Sequence, residues 1–402
     1  MKVPFPIEQV ELNAPLPVNV VDPHGVLLLR RGEIIRNEAH RDLLKTHGPM
    51  VDEEEYRQWT FRYTAAIDKK LRGNERLEAI AGVARPMGVQ PTRNEQELSA
   101  LERWTDLHTR LSLLLVQGEQ AQDFERRLQQ LESRIDEVLR ARVDDSLFVL
   151  VQLLLDRAQG YSASHALLSA VLCRLVGTPL LAGHEPLQRS LMHAALTMNI
   201  GMSKLQDELA LRLEPLDEAL RARVNRHPLD GVRILQALGV GDGVWLDLVR
   251  HHHQQPRTPL PDLTGCAPTD LAAHLLALAD VFVARISPRA SRRSQPAHVA
   301  ARDAYLTQDG QAAPLGAAFI KTVGVHIPGS YVQLENGELA VVVRRGRRAN
   351  APLAFALVGR QGLPMGEPAL RDTSEPAFQI KAGVAADEVR VRVNPSKLLA
   401  RL

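Results

Sequence analysis

Two cysteines in 402 residues leave almost no sulfur chemistry to build on. Cys173 and Cys266 lie far apart and match neither a disulfide framework nor a zinc-knuckle spacing, which points to a reducing compartment. Any metal must therefore be held by imidazole and carboxylate. An excess of one charge is also missing: 49 basic against 47 acidic residues give +2, too little to make nucleic acid or an acidic membrane surface a default partner. Long apolar runs are absent as well. Leu147 to Leu155 is interrupted by Gln152 and falls short of the roughly 18–20 apolar residues that a membrane span needs. The first residues carry Lys2 but no apolar run of signal length, and Pro4, Pro6, Pro15 and Pro17 would break one. These absences predict a soluble, cytoplasmic protein with neither nucleic acid nor membrane as partner.

What is present is a globular composition, 45% hydrophobic and 24% charged, with 14 histidines. It excludes wholesale disorder and collagen-like repetition, and the length suffices for two to four domains at roughly 100–200 residues each. Val18 to Val21 and Val26 to Leu29 flank Asp22-Pro23-His24-Gly25, a turn-rich tetrapeptide that predicts a hairpin. The stretch 85–94, with Pro86, Gly88 and Pro91, reads as linker. Phe124, Leu128, Leu131, Ile135 and Val138 then recur at spacings of four and three, the mark of an amphipathic helix. Over 120–142 that helix either packs on its own domain or forms a homodimer stalk.

Further helices are expected over Ser146 to Arg157, Ser164 to Val176, Pro186 to Met198, Asp217 to Ala237, Val244 to His253 and Asp270 to Ile286. The character changes near Pro314. Tyr331 to Val343 alternates about Asn336-Gly337, a strong hairpin signal, and Val389 to Val393 alternates too. The fold class is mainly α, with a small β-rich N-terminal module at 1–65, linker and amphipathic helices at 66–145, an all-helical domain at 146–313, and a β-rich C-terminal extension at 314–402.

Histidines fall within the helical middle, at His165, His193, His227, the run His251-His252-His253, and His274. A lone helical histidine is more often a hydrogen-bonded residue than a ligand. Neighbouring helical residues point about 100° apart, so two adjacent imidazoles converge only at a helix end or in a pocket between helices.

The order and spacing of these segments resemble the HD-GYP family of bacterial cyclic di-GMP phosphodiesterases. Gly160 to His165 looks like the helix start bearing that family's first histidine, and Ala194 to Met202 looks like its ALLHDIGK helix. His227-Pro228 through Gly231 is similar to HPxxG, and His251 through Pro261 is similar, without gaps, to HHExxDGxGYP. Ala279 to Arg292 looks like ADVFDALTSxRPYR, and Phe319 to Val332 resembles the closing segment. The likeness runs from about Ser146 to Val343. It implies an all-helical HD-GYP-like domain that holds two or three iron-type ions and cleaves a phosphodiester.

Carried over by position, the resemblance implies metal ligands at His165, His227, His251, His252 and Asp280, and ligand-binding arginines at Arg289 and Arg292. The family's defining His-Asp pair is replaced by Met198 and Asn199, its following lysine by Met202, and its GYP loop by Pro259-Leu260-Pro261. Tyr161 stands where a further acid is expected. Asparagine lacks the charge of a bridging carboxylate, and a thioether suits copper(I) better than iron, manganese or zinc. No residue is therefore assigned as catalytic. Room remains for one divalent ion (Fe, Mn or Zn) or for none. The resemblance implies cyclic di-GMP or a related nucleotide as ligand and a protein such as a diguanylate cyclase as partner. Two readings stay open: a catalytically degenerate binding or docking module, and an active metal-dependent phosphohydrolase.

Overall fold

The computed structural model describes residues 2–5, 7, 10, 12, 15, 16, 18–23, 25–52, 55, 99–156, 160–254, 263, 265–306 and 313–402. The expected linker at 85–94 and Pro259-Leu260-Pro261 lie outside the described residues. The chain divides into two compact units, Met1–Thr109 and Arg110–Leu402.

In the first unit, strands β1 (Lys2–Pro4), β2 (Val20–Val21), β3 (Leu27–Leu29) and β4 (Met50–Asp52) form an antiparallel sheet in the order β1-β4-β2-β3. The β2–β3 turn closes as its residues dictate. The Asp22 carboxylate accepts from the Val26 amide at 2.7 Å, and Gly25 takes the positive φ of 91° that a β-carbon would oppose. Helix α1 (Glu38–Thr46) was not expected, although Asn37 caps it by accepting from the His40 amide at 2.8 Å. Phe5, Ile7, Val20, Ile35, Leu44 and Val51 make the core of this unit.

Helix α2 (Ala100–Gln117) carries the chain across the division. The second unit contains α3 (Phe124–Ala141), α4 (Val143–Leu155), α5 (Tyr161–Leu180), α6 (Glu185–Thr197), α7 (Ser203–Leu211), α8 (Glu218–Ala237), α9 (Gly243–His251), α10 (Pro268–Ile286), α11 (Ala297–Tyr305) and α12 (Pro314–Val323). The molecule is mainly α with two small antiparallel sheets.

Of the two alternatives for α3, its apolar stripe favours packing on its own domain. Phe124, Leu128, Leu131, Ile135 and Val138 are all buried within the chain itself, so the face that a second copy would need is already covered. On the same helix Glu132 accepts from Arg174 and from His193, the latter at 2.8 Å, and Asp136 pairs with Arg174 at 2.9 Å. These bonds tie α3 to α5 and α6. Helix α5 is long and apolar enough to cross a membrane by length and composition, yet 72% of its apolar window is buried inside the protein, as in a core helix.

The C-terminal part opens with α12 rather than with strands. Pro314 sits at the first turn of that helix, where a missing amide hydrogen carries no penalty. Strands β5 (Tyr331–Leu334), β6 (Leu339–Arg344), β7 (Leu353–Val358), β8 (Pro364–Asp372) and β9 (Ile380–Val384) follow, in the order β8-β7-β6-β5-β9. Asn336-Gly337 turns the β5–β6 hairpin as expected, with Gly337 at φ 87°. Val389 to Val393 forms no strand. Its exposure alternates, but it lies between a short 3-10 turn at Ala386–Glu388 and the Asn394-capped helix α13 (Pro395–Leu399), with no ladder to join.

His326, on the segment between α12 and β5, is 7% exposed. Burial, with a smaller contribution from His298, lowers its pKa from the usual 6.5 to about 4. The unfolded chain then binds the proton first as pH falls, so stability is full above about pH 6.5 and declines toward pH 4, by up to about 3 kcal/mol. Chemical denaturation at pH 7 and pH 4.5 should show that loss, and His326→Gln should reduce the difference between the two pH values.

Candidate metal centre

Helix α8 presents His227 through a local device. Pro228 has no amide hydrogen, so the carbonyl of Val224, four residues earlier, loses its helical donor. His227 Nδ1 supplies that donor instead. At the end of α9 the last carbonyls are also without helical partners, and Val249 O accepts from His252 Nδ1 at 2.7 Å. Because both Nδ1 atoms face carbonyl oxygens, both carry the hydrogen, and both Nε2 atoms carry lone pairs. Those two Nε2 atoms lie 3.2 Å apart, acceptor against acceptor. Burial lowers both histidines, His227 to about 4 and His252 to about 3, so at neutral pH no proton relieves the opposition.

A cation would relieve it. His253 joins the pair, and each of the three imidazoles has a ligand nitrogen within 4.8 Å of the others'. Asp280, on α10, approaches His253 Nδ1 at 3.5 Å through Oδ2, while its Oδ1 accepts from His165 Nε2 at 2.8 Å. Burial alone would raise the Asp280 carboxyl; the hydrogen bond from His165 outweighs it and keeps the group ionised. Three imidazoles with one carboxylate suit zinc, iron or manganese, and the facing lone pairs of His227 and His252 fit a bound ion.

The structure thus brings together His165, His227, His252 and Asp280 from the expected set, and places His251 elsewhere. His251 is the last residue of α9, and its Nδ1 turns back to Asp247, 3.0 Å from both the backbone and the carboxylate oxygen. Its side chain is 41% exposed. The converging neighbours are His252 and His253, just past the helix end. The three-histidine run contained that answer, but choosing the pair required knowing where α9 stops. His252→Ala or His253→Ala should lower metal content measured by mass spectrometry, whereas His251→Ala should leave it unchanged.

Around the centre, Asp207 accepts from the Ser162 amide at 2.7 Å and caps α5, the helix that bears His165. This cap comes from outside the helix because Gly160, at φ 90°, makes no side-chain cap. Asp207 was not singled out in the sequence, since its role depends on a contact 45 residues away. Met198 is completely buried and Asn199 is 4% exposed. The Asn199 Oδ1 has no hydrogen-bond partner among the described residues. Arg289 Nη2 donates to Tyr161 OH at 2.8 Å, and Arg292 is exposed, with its guanidinium on Ala284 O.

Over 167 residues, 41% of this chain, the sequence is 29% identical to a cyclic di-GMP phosphodiesterase of Pseudomonas aeruginosa. The chain is similar to HD-GYP proteins. The match spans only 40% of that relative's length. A solved HDG"Y"P protein from Bdellovibrio bacteriovorus is similar at a TM-score of 0.44 and 13% identity, over 79% of this chain and 98% of that one. No family model matches. Among the described residues, the cluster at His227, His252 and His253 is the feature best suited to a ligand.

Proposed function

We propose that this chain is a catalytically impaired HD-GYP-type module of cyclic di-GMP signalling, which binds the nucleotide or docks a partner such as a diguanylate cyclase instead of hydrolysing the diester. The observation that carries this reading is the pair Met198-Asn199. A fully buried thioether and an amide oxygen without a partner among the described residues stand where, by the resemblance, two-metal hydrolysis would need an imidazole and a bridging carboxylate. Asp280 is a poor replacement, because one of its oxygens is held by His165.

An ion held by His227, His252 and His253 would supply Lewis acidity. Asp280 would help to neutralise it, and Arg289 carries the fixed positive charge that suits a phosphodiester. The cluster of His227, His252 and His253 favours a second reading, slow one-ion phosphohydrolysis.

The test is to measure metal content, nucleotide binding by calorimetry and cyclic di-GMP turnover on the purified chain, with iron, manganese or zinc supplied. Binding of the nucleotide without appreciable turnover is expected. Turnover that disappears in His252→Ala would establish the second reading instead, and a protein that neither binds nor cleaves would sink both.

A further inference from the structure

Tyr161 stands between two groups that the sequence keeps far apart. Its oxygen accepts from Arg289 Nη2 at 2.8 Å, and the guanidinium carbon lies 4.9 Å from the centre of its ring. The hydroxyl hydrogen is left for His165 Nδ1 at 3.2 Å, and His165 Nε2 donates in turn to Asp280 Oδ1 at 2.8 Å. Every donor in this chain points the same way, from Arg289 toward Asp280. The remaining carboxylate oxygen lies 3.5 Å from His253 Nδ1, at the edge of the histidine cluster. Hydrogen bonds arranged in series polarise one another, so the first bond affects the strength of the last.

Arg289 also has an unspent donor. Its Nε is shielded from solvent and has no partner among the described residues. Nε and Nη2 form one edge of the guanidinium, the edge that takes two oxygens of a phosphodiester side by side. One donor of that edge is spent on Tyr161 and the other on nothing. An oxyanion that takes both must draw Nη2 away from the tyrosine.

We infer that Tyr161 couples oxyanion binding at Arg289 to cation binding at His227, His252 and His253, so that each ligand tightens the other. The inference rests on the reading above, that this pocket takes a phosphodiester and an ion. While Arg289 donates to Tyr161, the hydroxyl is polarised toward His165, and His165 grips Asp280 more firmly. When an oxyanion takes Arg289, that grip slackens and the carboxylate is freer to face a cation. Linkage makes the effect reciprocal.

The experiment is calorimetric titration of the full chain with Mn²⁺, alone and with saturating cyclic di-GMP or saturating inorganic phosphate, on the wild type and on Tyr161→Phe. For the wild type, cyclic di-GMP should tighten Mn²⁺ binding about 5-fold, the low end of ordinary coupling between sites. In Tyr161→Phe the gain should fall below about 2-fold, with Mn²⁺ affinity in the absence of anion at or above that of the wild type. A gain with either anion supports the coupling, and comparing them tells a free phosphate from the diester.

An equal gain in the wild type and Tyr161→Phe would point to direct contact between phosphate and ion; it would overturn the coupling and leave the proposed function standing. Absence of Mn²⁺ binding to the wild type would overturn the coupling, and binding of cyclic di-GMP in that case would leave the proposed function standing. Imidazole nitrogen NMR gives an independent readout. The His165 Nδ1 resonance should move in Tyr161→Phe and, in the wild type, on addition of cyclic di-GMP; indifference to both overturns the coupling.

Discussion

Gly201→Ala is expected to destabilise the helical unit by about 3 kcal/mol or more and to abolish metal retention with it. A β-carbon at this position would overlap the carbonyl oxygen of His227 and lie 2.6 Å from the amide nitrogen of Gly231. Both obstacles are backbone, so no side-chain rotation relieves them. The short turn that follows Met198 and Asn199 lies directly on the helix that presents His227, and glycine is what permits that approach. Urea denaturation should report the lost stability, and metal analysis of whatever folded protein remains should report the displaced histidine. A Gly201→Ala protein with wild-type stability and metal content would mean that the close approach contributes nothing to the centre.

The second large effect is a gain. Met198→His together with Asn199→Asp should raise the metal content from at most one ion per chain toward two, and should create cyclic di-GMP hydrolysis about a hundredfold above that of the unaltered protein. That size corresponds to about 2.7 kcal/mol of charge stabilisation by a second ion and a bridging carboxylate. Asn199 is buried, and its amide oxygen is without a partner among the described residues, so a carboxylate there would have an oxygen free for an ion. Asn199→Asp alone should do less, because the bridging oxygen would arrive without the imidazole that accompanies it. If the double variant folds and gains neither ion nor turnover, the correspondence of these two positions to the family's dyad is wrong.

How much of this was legible in the sequence depended on how local the causes are. The hairpins at Asp22-Gly25 and Asn336-Gly337 were legible because turn chemistry resides in four adjacent residues. The long helices were legible from their apolar spacing. Helices α7 and α11, at nine residues each, are shorter than the window in which periodicity can be counted, and the change of character near Pro314 begins with a helix before the strands. In the site, His165, His227, His252 and Asp280 were found through segment order. His251 was included because it matched a motif by position, whereas a turn of about 100° per residue decides which imidazole faces inward. The bond from Arg289 to Tyr161 spans 128 residues of sequence and had no local signal.

Pro228 gives that dependence on local cause its clearest form. Within α8 it is a defect, one missing hydrogen in a ladder that otherwise repeats. The vacancy it leaves on Val224 sets which of the two ring nitrogens of His227 carries hydrogen. The reactive face of the imidazole is thus specified by the residue that follows it in the chain, before any other helix has packed. A histidine placed by tertiary contacts alone would have to be reoriented each time the fold is remade; this one is already set when its own helix forms.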